Sequence, residues 1–192
     1  RVDRLPVLVF VLFEYEDENG QTVNAGAHAD RNGFFYVTDR TNGDLINAFP
    51  FVDNITWATH IDLDTGRPVE VEGQRPARLA EGETRSEAVE VSPPFLGGKN
   101  WNPMAYSEDT GLFYVPGNHW KEDYWTEEVE YVEGAAYLGM GFRIKRMYDD
   151  HVGILRAVDP VTGEYAWEHK EPMPLWAGVL ATHGNLVFTG TG

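Results

Sequence analysis

The sequence of 192 residues contains no cysteine and little positive charge. The absence of cysteine excludes structural disulfides, thiol nucleophiles and cysteine-ligated zinc or iron–sulfur sites, but it leaves the cellular compartment open. Lys and Arg total 15 against 31 Asp and Glu, which gives a formal net charge of -16. Because such a negative field repels phosphate backbones and anionic headgroups, nucleic acids and membrane surfaces are disfavoured as partners.

Long apolar runs are also missing. The longest, residues 7–13, is far shorter than the roughly 20 residues that a membrane-spanning helix needs, so we expect no transmembrane segment. Arg1 and Arg4 precede this run as in a secretory signal, but residues 14–18, four of which are acidic, follow it without a small-residue cleavage site. We therefore interpret the run as a buried β-strand.

No stretch of a dozen residues keeps a helical period free of Gly and Pro, whereas short runs rich in Val, Ile, Phe, Tyr and Trp recur between turn residues. A five-residue element with Asp or Ser first and Gly last occurs four times, at 39–43, 62–66, 107–111 and 159–163. A first side chain that accepts backbone N–H bonds and a Gly that adopts positive φ are typical of hairpin turns. Strand candidates flank these turns at 34–37, 112–115, 155–158 and 165–167.

The spacing of the turns predicts a propeller. Their glycines, at 43, 66, 111 and 163, lie 23, 45 and 52 residues apart, and the last two intervals suit four-stranded blades of about 40–50 residues. The segments near 67–94 and 119–150 are interpreted as insertions. About three or four blades make a partial ring, which we expect to be marginal or aggregation-prone alone because its end blades expose apolar sheet.

The fourth turn extends to the pattern Ala157-x-Asp159-x-x-Thr162-Gly163-x-x-x-Trp167. This pattern resembles the tryptophan-docking repeat of the alcohol dehydrogenases that depend on pyrroloquinoline quinone (PQQ). In that family the blade-ending Trp packs between adjacent sheets, where an indole contributes a large buried area. Further stretches resemble the ethanol dehydrogenase type, namely residues 27–37, 47–57, 98–107, 140–151 and 174–182.

The resemblance covers roughly residues 13–192, while full family members are about three times longer and form eight-bladed propellers. It implies an all-β fold, in which residues 1–192 are a partial eight-bladed β-propeller of about three to four middle-to-late blades with the two insertions. It also implies a function: a fragment of an enzyme that oxidises a primary alcohol to an aldehyde with PQQ and passes electrons to cytochrome c. We expect this fragment alone to be inactive.

Three residues match the family's cofactor rim. PQQ is a flat ortho-quinone with three carboxylates, so it requires cations and amides at its edge and rings against its faces. The resemblance implies that Arg31 contacts the quinone oxygens, that Asn100 hydrogen-bonds the cofactor and that Trp176 lies against it. The alternatives are a solvated Arg31, an Asn100 that caps a turn, and a Trp176 that only docks two sheets; Trp101 either lines the substrate cavity or packs.

The family's catalytic base is an Asp that also contacts the bound metal and that precedes the arginine matched here by Arg31. Counting back from Arg31 by the family's spacing leads to Asp3. The flanking sequence departs from the family's His-Asp-x-Trp-Asp pattern. Asp3 is therefore one candidate for base and metal ligand, and the alternative is an accidental alignment with the base missing. Leu5 stands where lanthanide-type members carry a second Asp, so we expect Ca²⁺ rather than a lanthanide. The remaining family ligands, a Glu and an Asn, have no counterpart here.

The resemblance further implies a periplasmic location and, for the full-length protein, a homodimer as one arrangement. Two other hypotheses remain: a non-enzymatic propeller of the same repeat that acts as an interaction scaffold, and an inert truncated fragment. A scaffold has no reason to carry the set of Arg31, Asn100 and Trp176. The six histidines show no His-x-x-x-His or His-Glu-x-x-His spacing, which disfavours a zinc site.

Overall fold

A computed structural model describes residues 10–191 of the chain. Every regular element in this range is a β-strand, which confirms the all-β prediction. No helix of the described residues has the length and apolar character to cross a membrane. The strands are β1 (Val11–Glu16), β2 (Thr22–Ala29), β3 (Phe34–Asp39), β4 (Leu45–Pro50), β5 (Ala58–Asp62), β6 (Arg67–Glu70), β7 (Val89–Val91), β8 (Ala105–Ser107), β9 (Leu112–Asn118), β10 (Trp120–Thr126), β11 (Met140–Arg146), β12 (Gly153–Val158), β13 (Tyr165–Glu171), β14 (Leu180–Ala181) and β15 (Val187–Phe188).

All four predicted turns close hairpins: β3–β4, β5–β6, β8–β9 and β12–β13. In each turn the glycine N–H donates to the carbonyl of the first residue, at 2.8–2.9 Å. The glycines have φ between 67° and 85°, the left-handed region in which a Cβ would be strained. The hairpin turns are therefore confirmed, and in the three turns that begin with Asp the carboxylate accepts a backbone N–H as predicted.

The strands form two four-stranded antiparallel sheets and three smaller ones. The first sheet has the order β1-β2-β3-β4, and the second sheet has the order β8-β9-β12-β13. Phe13, Phe35 and Val37 of the first sheet pack with Phe113 and Val158 of the second in one buried cluster. The two sheets therefore lie face to face.

Smaller sheets cover the outer faces of this pair. Phe34 of the first sheet packs with Ala58 and Ile61 of the β5–β6 hairpin. Tyr114 and Leu155 of the second sheet pack in a cluster that also contacts the β14–β15 hairpin. The result is a succession of stacked sheets, as neighbouring propeller blades would form.

The two segments expected as insertions contribute strands to a shared sheet. β7 comes from the first segment, β10 and β11 come from the second, and they pair in the order β11-β10-β7. We call this the insertion sheet. Its formation was not evident from the sequence because each segment lacks a regular hydrophobic period over most of its length.

Trp167 does not pack between two sheets in the described part of the chain. Its ring lies 5.7 Å from that of Tyr114, but the residue is still 40% exposed. β13 is an edge strand of its sheet, and the strands of this sheet that contribute to the cluster under β14–β15 are β8, β9 and β12. Trp167 is therefore only partly covered by the described residues.

A polar network joins the segment after β4 to the second sheet. The Arg156 guanidinium, 4% exposed, donates to Phe51 O at 2.9 Å and to Asp53 Oδ1 at 2.6 Å. The Asp53 N–H donates to His119 Nε2 at 3.2 Å, and His119 Nδ1 lies 3.0 Å from His151 Nε2. Burial lowers the pKa of His119 to about 4, although the Asp53 charge opposes this shift.

Candidate cofactor-binding site

Arg31 occupies a rigid turn between β2 and β3. The Asp30 N–H donates to Phe34 O at 2.9 Å, and the Gly33 N–H donates to Asp30 O at 3.1 Å. The Asn32 side chain accepts the Phe34 N–H at 3.0 Å. Because these local bonds fix the backbone, the direction of the Arg31 side chain is set by the turn.

The loop formed by residues 92–102, here called the rim loop, approaches this turn backbone to backbone. The Gly98 N–H donates to Arg31 O at 2.9 Å. A Cβ on Gly97 would lie 2.6 Å from Lys99 O and 2.7 Å from Arg31 Cβ, and Gly97 has a φ of 88°. Gly97 is thus required both by its backbone conformation and by the close approach to Arg31.

The Arg31 guanidinium is directed along the rim loop and is only partly satisfied. Its Nη2 donates to Phe95 O at 2.7 Å, whereas its Nε is buried without a hydrogen-bond partner among the described residues. A buried, unpaired donor of a charged group is costly, so an acceptor from a ligand would stabilise it. This arrangement does not fit a freely solvated surface arginine.

Asn100 bridges two parts of the rim loop through its side-chain amide. Its Nδ2 donates to Leu96 O at 3.1 Å, and its Oδ1 accepts the Trp101 N–H at 2.9 Å. These are the contacts expected of a turn cap. An amide nitrogen has two donor hydrogens and an amide oxygen has two lone pairs, so each atom keeps the capacity for one further bond.

Trp176 reaches the same region from the segment between β13 and β14. Its ring lies 5.4 Å from the ring of Trp120, at an angle of 55°. The Trp120 indole N–H donates to Gly97 O at 2.8 Å, which fixes this stack against the rim loop. Asn118 accepts the Leu175 N–H at 2.8 Å and so holds the residue that precedes Trp176.

A second cation lies beneath the rim. Lys99 is 1% exposed, and its Nζ donates to Asn100 O at 3.1 Å. Burial lowers the pKa of Lys99 to about 8, while the Asp30 charge opposes this shift. The pKa of Asp30 lies below its usual value because hydrogen bonds from His28 and Asn32 and the Lys99 charge outweigh its desolvation. Arg31 and Lys99 thus bring two cations to the rim loop in a strongly acidic chain, with the Asp30 carboxylate beside them.

The structure thus places Arg31, Asn100 and Trp176 around one loop. Arg31 lies against Gly97, the Asn100 side chain bonds to Leu96, and Trp176 is connected to the loop through Trp120. The sequence did not indicate that Trp120 and Lys99 belong to this site. The one feature of the sequence that indicated either residue is that Lys99 directly precedes Asn100. Trp101 is 63% exposed and does not pack in the described range, and Asp3 lies outside the described residues.

The described residues offer no metal centre. In the range 10–191, no three His, Asp or Glu side chains lie close enough together to hold an ion. The rim, in contrast, has the composition that an anionic, planar, aromatic ligand requires: a guanidinium, an ammonium, an amide and two indoles.

The stacked four-stranded sheets are arranged as neighbouring blades of a β-propeller are. No family model matches the chain, but it is similar over nearly its whole length to quinoprotein alcohol dehydrogenases. It is 78% identical over 182 residues to the quinoprotein alcohol dehydrogenase PedE of Pseudomonas putida, a match that covers 95% of this chain and 29% of PedE. It is 77% identical, with the same coverage, to a quinoprotein ethanol dehydrogenase of Pseudomonas putida.

A solved structure agrees with these sequence relatives. A europium-containing methanol dehydrogenase, 36% identical, superposes with a TM-score of 0.84 over 96% of this chain and 31% of that one. The chain is therefore homologous to a segment of the quinoprotein alcohol dehydrogenases, and it has the fold of part of their propeller, as the sequence predicts. It spans less than a third of the length of these relatives.

Proposed function

We propose that this chain forms part of a PQQ-dependent alcohol dehydrogenase, in which Arg31, Asn100 and Trp176 bind the cofactor. The observation that carries the proposal is that Arg31 bonds to the rim loop that contains Asn100, with the Arg31 Nε buried and unpaired among the described residues, while Trp176 packs on Trp120, which is bonded to the same loop. The 78% identity to a quinoprotein alcohol dehydrogenase supports it.

Each rim residue has a chemical task in this proposal. Arg31 offers Nε–H to an oxygen of the bound quinone, and its fixed positive charge stabilises negative charge that develops there. Asn100 uses its second amide hydrogen or lone pair to orient the ligand in its plane. The rings of Trp176 and Trp120 exclude water from the ligand and restrict its tilt.

Lys99 adds a charge that the tricarboxylate ligand requires. With a pKa of about 8 the ammonium is protonated at pH 7, and it lies under the Asn100 carbonyl. Because the whole chain has a net charge of -16, an anionic ligand is attracted only where local cations outweigh that field. PQQ, when bound, supplies an ortho-quinone that accepts a hydride from an alcohol.

We also propose that the full protein oxidises a primary alcohol to an aldehyde in the periplasm and passes electrons to cytochrome c. The support is the resemblance of the sequence to the ethanol dehydrogenase type. Calcium is the metal that Leu5 favours over a lanthanide. Since Asp3 lies outside the described residues and no ligand set occurs among them, we derive no step through a metal or a base.

The proposal is tested by titrating PQQ into the purified chain and following tryptophan quenching. Arg31→Gln removes the cation and we expect it to weaken PQQ binding about tenfold or more, because a hydrogen bond to a charged group is lost. Arg78→Gln makes the same charge change at an exposed residue outside the rim loop. It serves as the matched control and should leave the affinity unchanged.

Three outcomes would contradict the proposal: no saturable binding of PQQ, equal losses in both variants, or no loss in Arg31→Gln. An interaction scaffold or an inert fragment would give the first outcome. Addition of PQQ, Ca²⁺ and ethanol, followed by quinone absorbance, then compares this chain with a full-length version. We expect turnover only in the full-length version.

A further inference from the structure

The segment that carries Trp176, residues 172–179, belongs to no strand. Leu175 directly precedes Trp176 and is 1% exposed, so its backbone N–H and carbonyl are shielded from water. A strand partner would satisfy these groups in a sheet, and leaving them unpaired in the interior would be costly. The position of Trp176 therefore depends on the side chains that bond to the backbone of Leu175.

Two buried asparagines supply these bonds. Asn118, the last residue of β9, accepts the Leu175 N–H on its Oδ1 at 2.8 Å and donates from its Nδ2 to Leu175 O at 3.3 Å. Asn102, the last residue of the rim loop, donates from its Nδ2 to the same carbonyl at 3.3 Å. Asn118 is 1% exposed and Asn102 is 0% exposed. Both lone pairs of the Leu175 oxygen are thus used, one by each amide.

The same two asparagines also bond to the backbone of the rim loop. The Asn102 Oδ1 accepts the Asn100 N–H at 3.1 Å. The backbone N–H of Asn118 donates to Gly98 O at 2.7 Å. Each asparagine therefore connects the rim loop to Leu175, although the two segments are far apart in the chain.

The amide group is suited to this connection because it carries a donor and an acceptor in one plane. An aspartate at position 102 or 118 would present an oxygen to the Leu175 carbonyl in place of the N–H donor. An apolar side chain of the same size would leave buried backbone groups of Leu175 unpaired, and in the case of Asn102 also the Asn100 N–H. Either change would weaken the link between Trp176 and the rim loop.

We propose that Asn102 and Asn118 are positioning residues of the cofactor site, which together clamp Leu175 and so fix Trp176 relative to Asn100. Both act through the backbone of a neighbouring residue, and neither contacts the cofactor in this proposal. The consequence for PQQ binding rests on the proposed function, whereas the effect on the place of Trp176 does not.

The first test uses the pair of Trp120 and Trp176 and requires no cofactor. Two indoles whose rings lie 5.4 Å apart at 55° couple their electronic transitions and give an exciton couplet in far-ultraviolet circular dichroism. Trp176→Phe identifies this couplet by removing it. Asn102→Asp and Asn118→Asp keep the accepting oxygen but lose the N–H donor to Leu175 O. We therefore expect each of them to lose most of the couplet.

Asn47→Asp is the matched control. Asn47 Nδ2 donates to Val161 O at 3.0 Å, so the same substitution removes the same kind of bond between distant segments. This bond lies at the turn 159–163, which follows β12, whereas Asn118 pairs with the first residue of β12. We expect Asn47→Asp to keep the couplet. Equal loss in all three aspartate variants would show a general structural effect and overturn the proposal, as would an unchanged couplet in both Asn102→Asp and Asn118→Asp.

PQQ titrations followed by tryptophan quenching measure the consequence for the cofactor. We expect Asn102→Asp and Asn118→Asp to weaken PQQ binding about tenfold or more, and Asn47→Asp to bind as the wild type does. Wild-type affinity in both clamp variants would overturn their role at the cofactor site. A wild-type chain that does not bind PQQ would instead refute the proposed function, and the couplet would still test the clamp.

Amide hydrogen exchange of the wild-type chain decides the matter if the clamp variants do not fold. We expect the N–H groups of Leu175 and Asn100 to be protected, because each donates to a buried asparagine oxygen. Exchange of either N–H at the rate of an unstructured chain would overturn the proposal.

Discussion

The contact between Gly97 and Arg31 can be tested by comparing two glycine-to-alanine substitutions. Gly97 and Gly111 both have positive φ, 88° and 67° respectively. A Cβ on Gly111 meets no atom within 4 Å, whereas a Cβ on Gly97 would lie 2.6 Å from Lys99 O and 2.7 Å from Arg31 Cβ. The two substitutions therefore share the backbone strain and differ in the steric overlap.

The expected magnitudes follow from these two contributions. A left-handed conformation costs an L-residue about 1–2 kcal/mol, and alanine recovers about 0.4–1 kcal/mol through the lower entropy of the unfolded chain. We therefore expect Gly111→Ala to lower the free energy of unfolding by about 1 kcal/mol. In Gly97→Ala, overpacking adds about 1–3 kcal/mol, since the atoms nearest to the new methyl include backbone.

Urea unfolding followed by circular dichroism measures both variants, and an unchanged m-value would show that only stability differs. A PQQ titration then tests the rim, and we expect Gly97→Ala to weaken binding because Arg31 and the rim loop must separate. Gly111→Ala should bind PQQ as the wild type does. Equal losses of unfolding free energy in the two variants, or unchanged PQQ affinity in Gly97→Ala, would refute the reasoning.

Two further predictions concern buried titratable groups. The pKa of His119 is about 4 in the folded chain and near 6.5 in the unfolded chain. As the pH falls, the unfolded state therefore binds a proton before the folded state does. The stability that is present above pH 6.5 is lost as the pH falls towards 4. Urea unfolding at several pH values should show a flatter profile for His119→Gln, and an unchanged profile would contradict this. Lys99→Met removes a buried ammonium whose charge supports the buried Asp30 carboxylate, so we expect a lower unfolding free energy at pH 7 and weaker PQQ binding; unchanged PQQ affinity would contradict the assignment.

Local sequence predicted the turns because their chemistry is local. In the turn that begins at Asp159, the side chain accepts the N–H of Val161 and of Thr162 at 2.8 and 3.0 Å, and the Gly163 N–H closes the turn on the Asp159 carbonyl at 2.9 Å. All partners lie within five residues, so they form in any fold that permits a hairpin. The strand candidates beside the turns were correct for the same reason.

The surroundings of the site could not be predicted in this way. Trp120 contacts Gly97 through its indole N–H and Trp176 through its ring, although these residues are far apart in the chain. Glu122 on β10 reaches the Phe95 N–H. A charged residue on an insertion is usually solvated, and nothing in its own neighbourhood reveals that it is buried.

By itself the sequence determined the all-β class and the positions of the hairpins, and its resemblance to a family predicted Arg31, Asn100 and Trp176 as residues that contact the cofactor. Only the tertiary structure decided that Arg31 is held by Phe95 O, 64 residues away, that Lys99 is buried beneath Asn100, and that the two insertions share a sheet. The physical reason is the range of the interactions. Turn formation is governed by bonds between residues a few positions apart, whereas burial and charge pairing depend on which distant segments the sheets bring into contact.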